Sequence, residues 1–81
     1  MLLKEFKYED KHKKKDILFK YGVYLANRPD GDFTVLLFQI DSFYVEVYFD
    51  REEEEIGYIR AFSTTDFLAP YLERIDISGL L

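Results

Sequence analysis

The strongest constraint on the fold is the stretch FYVEVYF, residues 43–49, which alternates without a break. Phe43, Val45, Val47 and Phe49 project one way, and Tyr44, Glu46 and Tyr48 project the other, as the two-residue period of a β-strand requires. A carboxylate in the middle of such a strand must lie on the face shared by the tyrosines. Its neighbours on either side read as strands too. FTVLLFQI (33–40) is rich in β-branched and aromatic residues, and GYIRAF (57–62) is a shorter run suited to a sheet edge.

The connections between these runs set the register. With Asp41-Ser42 as a two-residue hairpin loop, Ile40 faces Phe43, Phe38 faces Val45 and Leu36 faces Val47. With Glu52-Glu53-Glu54 as the next loop, Arg51 faces Glu55, Tyr48 faces Tyr58 and Glu46 faces Arg60. A slip of one residue would turn every side chain to the wrong face, so matching apolar to apolar selects these registers. Arg60 is thus the predicted partner of Glu46, in a cross-strand pair that contributes about 0.2–1 kcal/mol.

The segments outside this core are less regular. ANRPDGDF carries a turn signature at Pro29-Asp30-Gly31. Residues 16–28, DILFKYGVYLANR, fit a strand through Ile17, Phe19, Tyr21, Val23 and Leu25, or a helix through Ile17, Leu18, Tyr21, Tyr24 and Leu25. The Tyr, Val and Phe content and the following turn favour the strand. Residues 1–15 read as a charged arm or a short helix. After Phe62 the spacing becomes helical, with Phe67, Leu68, Tyr71, Leu72 and Ile75 on one side and Ser63 and Asp66 at capping-box spacing. Pro70 implies that this helix starts late or kinks. Ile77, Leu80 and Leu81 are expected to tuck against the core.

The predicted fold is therefore a single α+β domain over 1–81: an antiparallel meander of three to four strands with a C-terminal helix packed on one face. The apolar face, from Leu36, Phe38 and Ile40 through Val45 and Val47 to Ile59 and Ala61, is where Phe67, Leu68, Tyr71 and Leu72 are expected to pack. The opposite face mixes Val35, Leu37 and Gln39 with Tyr44, Glu46, Tyr48, Tyr58, Arg60 and Phe62. Tyrosine and arginine among aliphatics is the composition of protein-binding hot spots, so Tyr44, Glu46, Tyr48, Tyr58, Arg60 and Phe62 form a candidate interaction face. The bland alternative is that the N-terminal segment covers it, or that its tyrosine hydroxyls simply stand in water.

Composition argues against most chemistry. An 81-residue chain buries only about 60% of its unfolded surface, yet with 48% apolar residues it is no disordered chain. It has no cysteine and one histidine, His12, so thiolate sites, His-rich metal clusters and a Ser–His pair have no basis. The acidic run Asp50–Glu55 lacks the spacing of a cation-wrapping loop and reads as solvated. No catalytic, metal or cofactor residues are expected. The net charge of −5 divides into seven lysines against four acids over 1–20 and four arginines against twelve acids beyond. That acidic majority disfavours nucleic acid, and the lysine cluster at 11–15 reads as a solvated face. No apolar run approaches the roughly 20 residues of a membrane span, and a soluble, cytoplasmic chain is expected.

The segments GVYLANR, LLFQIDSFYVEVYF and FLAPYLERIDISGLL, in that order, resemble a group of small uncharacterised bacterial proteins, chiefly from Bacteroidetes. The resemblance covers most of 20–81 and implies a bacterial, cytoplasmic, stand-alone domain, with no site residues to carry over. The expected function is a small non-enzymatic interaction module that binds a protein or a second copy of itself through the Tyr/Arg face. The alternative is a small-molecule or RNA-binding domain on the same face.

Overall fold

The computed structural model describes residues 1–63 and 68–72. Its elements are α1 (Leu3–Lys7), α2 (Lys11–Tyr21), β1 (Val23–Asp30), β2 (Phe33–Ile40), β3 (Phe43–Asp50), β4 (Glu55–Phe62) and a short α3 (Ala69–Leu72). The strands form one antiparallel meander in the order β1-β2-β3-β4, an α+β arrangement. No described helix is long and apolar enough to cross a membrane.

The β2–β3 register agrees pair for pair with the sequence arithmetic, from Ile40 opposite Phe43 to Leu36 opposite Val47. Tyr48 lies opposite Tyr58 and Glu46 opposite Arg60, also as expected. Beyond Tyr48 the register slips, so that Asp50 and not Arg51 faces Glu55. Gly57 is skipped by the pairing at this bulge, and a Cβ there would stand 2.8 Å from the Phe33 ring, so a larger residue would need that ring to move. Arg51 is released from the ladder, and its guanidinium donates to the carbonyls of Gly31 and Phe33, tying the β3–β4 loop to the β1–β2 turn. Gly31 takes φ +59° in that turn, and Pro29 sits on the edge strand, where a missing N–H is tolerated.

Two further expectations are corrected. The strand reading of residues 16–28 holds only from Val23 on, because residues 16–21 complete α2. Asp10 caps that helix by accepting from the Lys13 N–H at 2.8 Å, and four lysines of good helix propensity follow within its first five residues. Ile17 and Leu18 are both buried, which adjacent residues on one side achieve in a helix and not in a strand. Phe19 and Tyr21, which a strand would place beside Ile17, are exposed. Gly22 ends the helix by donating to the Leu18 carbonyl at 2.9 Å.

The second correction concerns which end of the chain covers which face. The C-terminal helix was expected on the charge-free face, but the N-terminal helices occupy it. Phe6, Ile17 and Leu18 pack with Ile40, Phe43, Val45 and Val47, and the Phe6 and Phe43 rings lie 5.7 Å apart. Each fully buried side chain of this kind contributes about 1.5–3 kcal/mol. Leu68 and Tyr71 lie instead on the opposite face, with Leu37 and Phe62. Pro70 falls in the first turn of α3, as a late start requires. Phe67, Ile75 and the tail residues Ile77, Leu80 and Leu81 lie outside the described residues, as does the side chain of Leu72.

Candidate functional site

Glu46 is the centre of the second face. Its side chain is fully buried, the only buried charged group among the described residues. Three elements besides β3 converge on it. From β4, Arg60 donates through Nε to Oε1 at 3.1 Å and through Nη2 to the same oxygen. From β1, Arg28 donates through Nη2 to Oε2 at 3.1 Å and to the Tyr48 hydroxyl at the same distance. From α3, the Tyr71 hydroxyl donates to Oε2 at 2.5 Å. The carboxylate thus ties both edge strands and α3 to the middle of the sheet.

A lone buried carboxylate costs several kcal/mol, and two guanidinium groups more than neutralise it. Arg28 is the better enclosed, with 15% of its side chain exposed against 40% for Arg60. Its guanidinium carbon also lies 5.5 Å from the Tyr71 ring centre and 6.0 Å from that of Tyr48. Burial works against the Arg28 charge, but Tyr71 and Glu46 outweigh it and raise its pKa above the ordinary arginine value. Burial raises the Tyr71 hydroxyl pKa, the bond to Glu46 and its charge raise it further, and Arg28 opposes them. Both oxygens of Glu46 are saturated by donors and shut from water. Chemically this is a structural clamp, since a general base needs a free lone pair facing its substrate.

The six candidate face residues divide accordingly. Glu46, Tyr48 and Phe62 are buried, Tyr44 and Arg60 are half-buried, and Tyr58 alone is exposed. Tyr48 stacks on Tyr58 with ring centres 4.1 Å apart, and Tyr44 stacks on Phe62 at 5.9 Å. The structure brings all six together but covers much of the surface they were expected to present, and the cover is C-terminal. Sequence reasoning placed Glu46 against Arg60 and missed Arg28 and Tyr71. Arg28 was within reach: a two-residue turn at Gly31-Asp32 sets Arg28 opposite Val35, and Val35 shares the Glu46 face. Tyr71 carried no such signal, because helical spacing says nothing of which side of a sheet a helix will choose.

A different surface is open. Phe19, Tyr21, Val23, Tyr24 and Leu25 are 93, 64, 60, 51 and 44% exposed. They run from the end of α2 along the edge strand β1. The β1 register slips between Tyr24 and Ala26, leaving Leu25 as a bulge. Tyr24 packs its ring on Phe38 at 5.8 Å, beside an apolar hollow of about 230 Å³ lined by Leu18, Phe19, Leu36, Phe38, Val47 and Ile56. Leu25 borders another hollow, of about 300 Å³, beside Leu37, Tyr44 and Tyr71. The edge is therefore apolar on both sides of the sheet.

Comparison with protein-family models, with curated proteins and with solved structures finds no match to this chain.

Proposed function

We propose that this chain is a small, non-enzymatic, cytoplasmic module that binds a protein chain through the apolar surface running from Phe19 to Leu25. The observation that carries this reading is the exposure of five large apolar side chains within seven positions. Scattered apolar residues need no explanation, but a contiguous set beside an apolar hollow is characteristic of interaction sites. Part of this surface lies on β1, which Arg28 bonds to Glu46 further along the strand, and a strand anchored before docking loses less entropy on binding. This moves the docking surface from the Tyr44–Phe62 face to the β1 edge. A small-molecule or RNA site on the Tyr/Arg face would have one exposed ring, Tyr58, to stack on.

A photo-crosslinking amino acid placed at Phe19 or Tyr21, and at Glu53 as a comparison, tests the reading in cells. Protein adducts are expected at the first two positions and not at the third. Equal yields at all three, or adducts at none, would reject it.

A further inference from the structure

We infer that the partner at this surface is a second copy of the chain, whose β1 adds antiparallel to β1 and joins two four-stranded sheets into one. The inference rests on the interaction-module reading and supplies its partner.

The two edges of the sheet are not alike. At β4 the Lys11 ammonium donates to the carbonyls of Ile56 and Gly57, and α1 packs against the strand. At β1 no described element lies beyond the strand. Natural edges are usually blunted by charge, by proline or by a bulge. From Val23 to Asn27 there is no charge at all. Pro29 stands near the hairpin end, so it limits pairing to Val23–Asn27 without preventing it. The bulge at Leu25, in the middle of that span, is the one blunting device there, and it leaves Val23-Tyr24 and Ala26-Asn27 on either side as the residues free to pair.

A two-fold axis at Leu25 sets this residue against its own copy, with Val23 opposite the second copy's Asn27. The same antiparallel arrangement brings the acidic turn of one copy, Asp30 and Asp32, towards Lys20 at the end of α2 in the other. All three are exposed, Asp30 also pairing with Arg28 of its own strand at 3.6 Å, and symmetry makes the contact twice. That complementarity matters for a chain of net charge −5, whose copies otherwise repel. The area approaches what a dimer needs. At 93, 64 and 51% exposure, Phe19, Tyr21 and Tyr24 alone offer roughly 300–500 Å², taking about 150–250 Å² for a whole aromatic side chain. Val23, Leu25 and the strand backbone bring this towards the about 800 Å² per partner of a standard interface.

The absence of cysteine makes the test direct, since any disulfide must come from an introduced residue. In an antiparallel pair centred on Leu25, the two Cα atoms would stand about 4.5–5.5 Å apart, within disulfide range. Leu25→Cys should oxidise to a covalent dimer at least about tenfold faster than Tyr58→Cys on the opposite edge. The unmodified chain should shift from monomer to dimer over a hundredfold concentration range in light scattering, and Leu25→Lys should hold it as a folded monomer. Equal oxidation of the two variants, or a monomer throughout, overturns the second copy as partner. The module reading is judged separately: with the unmodified chain monomeric throughout, a crosslink from Tyr21 to a different protein would preserve it while self-association is removed.

Discussion

Replacing Glu46 with glutamine removes one charge and keeps the outline of the side chain. The carboxylate has four donors on its two oxygens, from Arg60, Arg28 and Tyr71. Glutamine offers one oxygen, and its amide group turns two hydrogens towards groups that are themselves donors. The Tyr71 bond to a charged acceptor is worth about 1.5–3 kcal/mol. Breaking a buried pair costs about 3–5 kcal/mol when the remaining charge stays shut from water. Arg60, two-fifths exposed, rehydrates and adds little, whereas Arg28 cannot do so as easily. Glu46→Gln should therefore cost about 2–4 kcal/mol, and at about 4–8 °C per kcal/mol the midpoint should fall by roughly 8–32 °C. Urea unfolding with a shared slope is the measurement, and a double-mutant cycle should show stronger coupling of Glu46 to Arg28 than to Arg60. A cost below about 1 kcal/mol in a folded variant would refute the clamp and return Glu46 to an ordinary surface pair.

Tyr71→Phe should cost about 1.5–3 kcal/mol through the lost bond to Glu46. It should also change the alkaline limb of stability: the folded pKa of Tyr71 lies above the ordinary value of 10.0, so its contribution is complete below that pH and is lost as the pH rises beyond it. Stability of the unmodified chain should fall more steeply above pH 10 than that of Tyr71→Phe, and parallel curves would contradict the assignment. Gly22→Ala should cost about 1–3 kcal/mol, because the new Cβ would stand 2.6 Å from the Leu18 carbonyl oxygen and backbone gives way poorly; thermal unfolding will show it. Asp10→Ala should cost about 1 kcal/mol by removing the cap of α2, with loss of helical circular dichroism as the readout.

How much of this was legible depends on how local the determining physics is. The β2–β3 register follows from alternation and the two-residue turn at Asp41-Ser42, and the Glu46–Arg60 pair from matching apolar residues across the acidic loop, both of which act between segments adjacent in the chain. The slip at Gly57 was hidden, because the ring that crowds this position, Phe33, lies two strands away in the meander. Residues 16–21 satisfy both periods, and a helix won because the Asp10 cap and the burial of Ile17 and Leu18 reward it together.

The choice of cover for each face was beyond any local pattern. Both terminal segments carry apolar residues at helical spacing, and both faces offer apolar residues to receive them. Packing decided: Phe6, Ile17 and Leu18 fill the charge-free face, leaving the mixed face to Tyr71, whose hydroxyl can satisfy a carboxylate that a phenylalanine could not. Alternation determined that Glu46 would share a face with tyrosines, and matching apolar residues across the acidic loop set it opposite Arg60. Only the tertiary structure converted that pair into a buried clamp on two strands and a helix, because burial depends on what folds back over a residue.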